Sequence, residues 1–220
     1  IVPKKNNVRN ILSISLPATG SRLIGNIGYF LEPIILTFVL IHTGYDSEFI
    51  INEYGIINGY VLPLILLPSF FTMAISQSLI PVISKSYSDK NLNYTKSKIK
   101  QAIKLSLLIG TPATLIFIFI PNVPLKLIYN TDIGINYLRV LAPICLLHYI
   151  QGPITSSLQA MGKAKAAMKG TLYGMILRTS TLFIFSYLKI GLWGLIIAIS
   201  VNIIFVTLHQ IKEVIKALKN

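Results

Sequence analysis

The sequence predicts an all-α protein: a polytopic membrane helix bundle with six transmembrane helices. Charged residues make up 12% of its 220 residues, about half of the share that soluble domains carry. Mean hydropathy is +0.68, and the runs 107–120 and 192–208 contain no charged residue. Because one soluble core cannot bury this much apolar sequence, the runs predict helices that cross a bilayer.

Six apolar spans follow one another along the chain. A helix crosses the hydrocarbon core in about 20 residues, so the first, second and fourth spans, which are longer, are expected to tilt, bend or protrude. We interpret residues 1–220 as a single six-helix lobe. The predicted spans cover about 13–42, 56–84, 102–120, 134–160, 170–188 and 192–209.

Basic residues are distributed unequally between the two sets of loops. The chain has 20 Lys and Arg against 7 Asp and Glu, a net charge of +13. Fifteen of the basic residues fall before the first span, in the basic loop 85–104, after the fourth span or in the tail, and two fall in the opposite loops. Cytoplasmic loops carry such an excess, which predicts that both ends are cytoplasmic. A soluble protein with this charge would suggest nucleic acid, but here the partner of the basic loop 85–104 is expected to be anionic lipid.

Proline is frequent inside the predicted spans. A proline in a helix removes one backbone donor and bends the helix. The freed carbonyl groups need partners from neighbouring helices or from a water-filled cavity, and transporters use interrupted helices of this kind. The prolines therefore favour a transporter. Eight of the 11 lie in spans: Pro17, Pro33, Pro63, Pro68, Pro81, Pro112, Pro143 and Pro153.

The sequence carries no pattern typical of an enzyme. It has no glycine-rich phosphate loop, and no serine lies near a histidine and an acid that could activate it. Its three histidines, His42, His148 and His209, fall in three separate spans, so no metal site is predicted. The single cysteine, Cys145, lies in an apolar run and is expected to pack. We predict no catalytic residue, no metal and no cofactor.

Three polar residues interrupt the first span, in the stretch SRLIGNIGYFLEPIIL at 21–36. A charge at mid-bilayer costs about 2.5–3.5 kcal/mol on insertion scales, so it tends to face a cavity or a partner. At 100° per residue, Arg22, Asn26 and Glu32 fall on the side of the helix that also carries its glycines. We therefore predict that these three side chains point away from lipid. The opposite arc carries Leu23, Ile27, Phe30 and Ile34.

Arg22 and Glu32 cannot pair with each other on a straight helix. Ten residues separate them, which corresponds to about 15 Å along the axis. Two interpretations stay open. Either Arg22 and Glu32 both line a polar cavity as separate binding positions, or Glu32 forms an ion pair with Arg139 or another group that has only a structural role. Arg139 and Arg178 lie within one or two turns of the ends of their spans, and both are expected to snorkel to the interface.

Amides within the spans are weaker candidates for a cavity wall. Gln77 and Gln151 are the two that we include among the candidate binding residues. Single amides in membrane helices more often form hydrogen bonds between helices. Aromatic side chains such as Tyr29 and Phe70 could stack on a sugar, although membrane aromatics usually pack or anchor the interface.

Three stretches resemble a known superfamily. They are LPATGSRLIGNIGYFLEPIIL (16–36), NGYVLPLILLPSFFTMAISQSLIPVIS (58–84) and ITSSLQAMGKAKAAMKGTLYGMILR (154–178), which contains an LQ-x-x-GK hairpin. Together they resemble the C-terminal half of the polysaccharide and sporulation branch of the multidrug/oligosaccharidyl-lipid/polysaccharide exporter superfamily. The resemblance implies one lobe of a two-lobe exporter that works by alternating access against an N-terminal lobe of the same protein.

The resemblance also implies a substrate class and a compartment. It points to a flippase for a lipid-linked oligosaccharide or peptidoglycan precursor of the cell wall, in the bacterial cytoplasmic membrane. A cation in a low-dielectric cavity suits a lipid pyrophosphate. However, residues 56–84 contain no Lys or Arg, whereas lipid II flippases place an arginine on the corresponding helix. The substrate-binding residues expected by resemblance are Arg22, Asn26, Glu32, Gln77, Arg139 and Gln151.

Two alternatives remain at this point. In a cation-coupled multidrug exporter of the same superfamily, Glu32 would titrate during transport. In a scaffold without transport activity, the basic loop 85–104 would recruit wall-synthesis enzymes, and cavity residues would be dispensable.

Overall fold

The computed structural model describes residues 5–219, and the side chains of residues 12, 13 and 15–219. The predicted basic residue Lys4 and the side chains of Lys5 and Arg9 lie outside the described residues. No strand occurs in the described part, which confirms the all-α prediction. The helices are α1 (Lys5–His42), α2 (Ser47–Ile56), α3 (Leu62–Ser88), α4 (Leu92–Phe119), α5 (Asn122–Tyr129), α6 (Ile135–Ala160), α7 (Ala164–Tyr187) and α8 (Trp193–Ala217).

Helices α2 and α3 form one continuous segment, joined by a π-helical turn at Ile57–Val61. The N–H of Leu62 donates to the carbonyl of Ile57, five residues earlier. The wide turn comes directly before Pro63, which has no N–H to continue the α-helical pattern. Counted this way, the described chain has six long helical segments and the short α5, in agreement with the six predicted spans.

Four helical segments begin earlier than the spans predicted from apolar sequence, and two of them begin at a side-chain cap. A carboxylate oxygen of Asp46 accepts the N–H of Glu48 at 3.0 Å and caps α2. The side chain of Asn91 accepts the N–H of Tyr94 at 3.1 Å and caps α4. Both caps lie in polar sequence, where a helix needs no apolar run to begin. The predicted basic loop 85–104 is therefore largely helical.

The eight prolines predicted to lie in spans all lie in helices. Pro17 and Pro33 are in α1, Pro68 and Pro81 are inside α3, and Pro63 is in its first turn. The remaining three are Pro112 in α4 and Pro143 and Pro153 in α6.

Four segments in the described part of the chain are long and apolar enough to cross a membrane. They are Ser15–His42, Ser47–Ser88, Leu92–Phe119 and Trp193–Ala217. Helices α6 and α7 are long enough, at 26 and 24 residues, but they are more polar. α6 packs against α3, α4 and α8, and α7 packs against α1 and α8. Their polar residues can therefore face neighbouring helices or a cavity instead of lipid.

The helices pack as two groups of three, α1–α7–α8 and α3–α4–α6, joined where α6 meets α8. Small residues bring the helices close together, as is common in membrane bundles. A Cβ added at Gly174 of α7 would lie 2.2 Å from Cγ2 of Val206 in α8. A Cβ added at Gly110 of α4 would lie 2.4 Å from Cδ2 of Tyr149 in α6. At both places the helix packing requires a glycine.

Two apolar clusters occupy the two ends of the bundle. The larger cluster includes Leu40, Ile57, Leu138 and Leu195. The smaller cluster includes Ile83, Ile99, Leu158 and Val214, and it lies at the end where the basic segments 85–104, 163–169 and 212–219 meet. These segments share one end because consecutive long helices run in alternating directions. Which side of the membrane this end faces stays a prediction.

Candidate functional site

A cavity of about 500 Å³ lies between the two apolar clusters. Its walls come from α1, α3, α6, α7 and α8. In the described part of the chain the lining contains two arginines and no carboxylate, so the cavity has a positive character. Its charged and amide side chains are Arg22, Gln77, Gln151, Gln159, Arg178, Asn202 and Gln210.

The cavity side that carries Gln151 and Gln210, called the amide wall below, is held by hydrogen bonds. The hydroxyl of Thr155 lies 2.7 Å from Oε1 of Gln210 and 2.8 Å from the carbonyl oxygen of Gln151, and it can donate to either. Nδ1 of His148 lies 3.0 Å from Oε1 of Gln151. These contacts join α6 to α8 and fix polar groups that can bind hydroxyl groups of a ligand.

An ion pair joins α1 to α7 beside the cavity. Nη2 of Arg178 contacts Oε2 of Glu32, and each residue is 5% exposed. The guanidinium carbon of Arg178 lies 4.9 Å from the ring centre of Tyr29, within reach of a cation–π interaction. Nε of Arg178 is buried and has no hydrogen-bond partner among the described residues. Arg178 therefore lines the cavity with donor capacity that Glu32 does not use.

The predicted site residues fall into three groups. Arg22, Gln77 and Gln151 line the cavity. Glu32 is buried between α1 and α7, next to the cavity wall. Asn26 and Arg139 are exposed on the surface of the lobe and do not line the cavity. No other helix in the described part of this lobe covers Asn26, so its predicted orientation away from lipid and the binding roles of all six residues stay predictions.

The expectation that Arg178 snorkels to the interface is wrong. Its side chain is buried because its helix face packs on α1, where Glu32 supplies an opposite charge. The sequence held one signal for this pair. Glu32 is the one acid within the predicted spans, and Arg178 is one of three basic residues that lie in them outside the basic loop 85–104.

The arc of α1 opposite its predicted polar side is exposed in this lobe. Leu23, Ile27, Phe30 and Ile34 are between 53% and 70% exposed. Gly28, on the other side of the same helix, is buried against Met175 of α7. Periodicity in α1 thus identified the buried side, although not the helix that covers it.

Two family models match the sequence. The MatE model matches residues 58–184. A second model, described as "Polysaccharide biosynthesis protein", matches residues 1–87. Between them they cover the first helix, most of the cavity wall and the ion pair.

Two curated relatives come from Bacillus subtilis (strain 168). Stage V sporulation protein B is 34% identical over 215 residues, which is 97% of this chain and 42% of that protein. Sporulation protein YkvU is 24% identical over 212 residues, which is 96% of this chain and 48% of that protein. The chain spans about half the length of the curated relatives it matches.

Solved structures share the fold of this chain. A crystal structure of MATE in the bent conformation superposes with a TM-score of 0.82 at 20% identity, covering 100% of this chain and 48% of that one. An outward-facing multidrug resistance MATE family transporter of the MOP superfamily gives 0.79 at 19% identity, covering 99% and 48%. The MatE model also matches more than half of the residues. The chain therefore belongs to the MatE family.

Proposed function

We propose that this chain is one lobe of a flippase that moves a lipid-linked saccharide, carried on phosphate or pyrophosphate, across the cytoplasmic membrane. The observation that carries the proposal is the charge of the cavity: Arg22 and Arg178 line it, and no carboxylate does so among the described residues. A cavity of this charge favours an anionic headgroup over a cationic drug.

The cavity side chains suit both parts of such a headgroup. Guanidinium groups make charge-assisted hydrogen bonds to phosphate oxygens, each worth about 1.5–3 kcal/mol. Amides and hydroxyls, such as Gln151, Gln210 and Thr155, can donate to and accept from sugar hydroxyls. The arginines would hold the phosphate, and the amide wall would hold the sugar.

The second half of the transporter is part of the proposal. The chain spans 42% and 48% of its two curated relatives, so a second lobe of the same protein would face the cavity. Alternating access would follow from one lobe rocking against the other around a fixed site near mid-membrane. The basic end of the bundle would be cytoplasmic, and its lysines would contact anionic lipid.

A cation-coupled multidrug exporter is the second candidate, because a multidrug resistance transporter shares the fold. In that reading Glu32 would bind the coupling cation. Arg178 already contacts Oε2 of Glu32, so a cation would have to compete with a fixed guanidinium for the same carboxylate. A scaffold without transport activity gives the polar cavity no role.

A flipping assay on the full-length protein tests the proposal. A fluorescent polyprenyl-pyrophosphate disaccharide is incorporated into proteoliposomes, and dithionite quenching measures its movement between leaflets. Arg22→Gln is expected to lower the rate about tenfold or more, because one charge-assisted hydrogen bond is lost. Lys104→Gln removes the same charge from an exposed position on α4 and should leave the rate unchanged.

The same vesicles also test the alternative function, a cation-coupled multidrug exporter. Ethidium movement driven by a proton or sodium gradient, together with an unchanged rate for the labelled lipid, would favour the multidrug exporter. Equal rates for wild type and Arg22→Gln would show that Arg22 does not hold the headgroup.

A further inference from the structure

We propose that Glu32 is an internal competitor for the substrate anion, and that substrate binding transfers Arg178 from Glu32 to the phosphate group. This inference rests on the proposed function, since it assumes an anionic substrate in the cavity. It adds a specific role for the ion pair: the pair opens when the substrate binds, and it forms again when the substrate leaves.

Arg178 meets the first requirement, because it can be reached from the cavity. It is part of the lining although only 5% of the residue is exposed. A guanidinium has five N–H donors, and its Nη2 is the atom that contacts Glu32. Nε has no hydrogen-bond partner among the described residues, but it is buried. An anion in the cavity would therefore first engage Arg178 through the part of its side chain that lines the cavity.

Glu32 meets the second requirement, because it compensates the arginine before substrate arrives. A buried charge without a partner is strongly destabilising, so Arg178 could not wait at the cavity wall alone. Glu32 does not line the cavity, and the carboxylate therefore does not repel an entering anion at close range. Glu32 therefore neutralises Arg178 from the side that faces away from the cavity.

The released carboxylate needs a new partner, because a buried charge without one is destabilising. Tyr54 of α2 is half-buried, and the charges of both Glu32 and Arg178 act on it. Within the proposed exchange we assign the role of this partner to the Tyr54 hydroxyl, which would have to move toward Glu32 to donate a hydrogen bond.

The position of the pair connects binding to helix movement. The contact between Arg178 and Glu32 joins α7 to α1. Arg22 lies seven residues before Tyr29, the residue on which Arg178 stacks, which is about 10 Å along α1. An anion that enters past Arg22 therefore meets Arg178 deeper in the cavity. Exchange there would weaken the ionic link between α1 and α7 in the loaded state only.

A double-mutant cycle of Kd values, measured on the full-length protein in nanodiscs, tests the exchange. The probe is geranylgeranyl pyrophosphate, with geranylgeraniol and inorganic pyrophosphate in parallel, and the readout is the Kd by titration calorimetry. Glu32→Gln should tighten binding of geranylgeranyl pyrophosphate about tenfold, because the competing charge is gone. Arg178→Gln should weaken it about tenfold. In the double variant, Kd should stay within twofold of Arg178→Gln.

The double variant separates exchange from simple repulsion. If Glu32→Gln tightens binding equally with and without Arg178, the carboxylate acts only through its long-range field and the exchange is refuted. An unchanged Kd in Glu32→Gln also refutes it. Should Arg178→Gln fail to fold, Arg178→Lys takes its place in the cycle, since it keeps the charge but cannot form the forked contact. Lys104→Gln, at an exposed position on α4 that does not line the cavity, should stay within twofold of wild type.

The same data distinguish this inference from the proposed function. If wild type binds geranylgeranyl pyrophosphate in an Arg22-dependent way but does not respond to Glu32→Gln, the exchange alone fails. If wild type does not bind it, or binds geranylgeraniol equally well, the anionic substrate fails and the exchange fails with it. Binding of inorganic pyrophosphate at a similar Kd would assign the recognised chemistry to the phosphates and not to the lipid tail.

Discussion

The contact between Gly110 of α4 and Tyr149 of α6 leads to a quantitative prediction for Gly110→Ala. Tyr149 is fully buried, and its hydroxyl donates to the carbonyl of Ile65 in α3 at 2.6 Å. A Cβ at position 110 would lie 2.4 Å from Cδ2 of this ring and 3.2 Å from Cγ. Because ring and backbone are both rigid, α4 and α6 must separate, or the ring must move away from Ile65.

The expected cost follows from three contributions. Overpacking of a tight contact costs about 1–3 kcal/mol. A weakened hydrogen bond from Tyr149 to Ile65 adds about 0.5–1.5 kcal/mol. Alanine is better than glycine inside a helix by about 0.5–1 kcal/mol, which offsets part of this. We expect Gly110→Ala to lower the free energy of unfolding by about 2 kcal/mol, with a fall in Tm of roughly 2–4 °C in a protein about twice as long as this chain.

Thermal unfolding of the full-length protein in detergent measures this change. Cys145 lies one turn before Tyr149 on α6 and is 2% exposed, so a thiol-reactive dye reports when this region opens. Any cysteines outside the chain are replaced by serine. Gly55→Ala is the matched control, because a Cβ there has no atom within 4 Å, and its Tm should equal or slightly exceed that of wild type.

A second substitution tests the mechanism. Tyr149→Leu removes the ring atoms that the added methyl group would meet. In the background of Tyr149→Leu, Gly110→Ala should therefore cost less than it does alone, a non-additivity expected of residues in contact. The reasoning is refuted if Gly110→Ala leaves Tm unchanged, or if the two substitutions add with no interaction.

Three further predictions concern the ion pair, a tolerant glycine and the orientation of the lobe. Glu32→Ala should lower the free energy of unfolding by about 3–5 kcal/mol, since it leaves Arg178 buried and unpaired. Adding Arg178→Met should restore most of the lost stability. If the double variant stays as unstable as Glu32→Ala, the loss comes from local packing and not from the unpaired charge. A Cβ at Gly28 would lie 1.6 Å from Cε and 2.5 Å from both Cγ and Sδ of Met175. Gly28→Ala should still cost less than Gly110→Ala in the same thermal assay, because the unbranched Met175 side chain can change rotamer as a whole; an equal cost would contradict this. Position 96 is predicted to face the cytoplasm, so a membrane-impermeant maleimide should label Lys96→Cys only after the cells are permeabilised. Labelling of intact cells would overturn the predicted orientation.

Periodicity was enough to predict the features of a single helix. The helical periodicity of α1 predicted a shared arc opposite its polar side, and all four residues of this arc are exposed: Leu23, Ile27, Phe30 and Ile34. The number of long segments also followed from the sequence, because each needs its own apolar run. Helix starts in polar sequence were missed at Asp46, since an apolar run does not show where a capped helix begins.

Contacts between helices could not be predicted in the same way. The sequence showed that Glu32 needed a partner, but the choice between Arg139 and Arg178 depends on which helix lies beside α1. That neighbour is α7, and α7 is separated from α1 by more than a hundred residues of chain. The helical wheel of α1 also could not show that Asn26 lies on a side that no other helix of this lobe covers.

The two helices that hydropathy identifies least clearly supply much of the polar cavity wall. α6 and α7 do not count among the four segments that are apolar enough to cross a membrane in the described chain. They lower their own hydropathy with residues such as His148, Gln151, Thr155 and Arg178, all of which line the cavity. A helix can carry such residues in a membrane only if neighbouring helices and a polar cavity satisfy them. A weak hydropathy signal in a helix that the loop charges still identify as a span thus indicates that the helix lines a polar cavity.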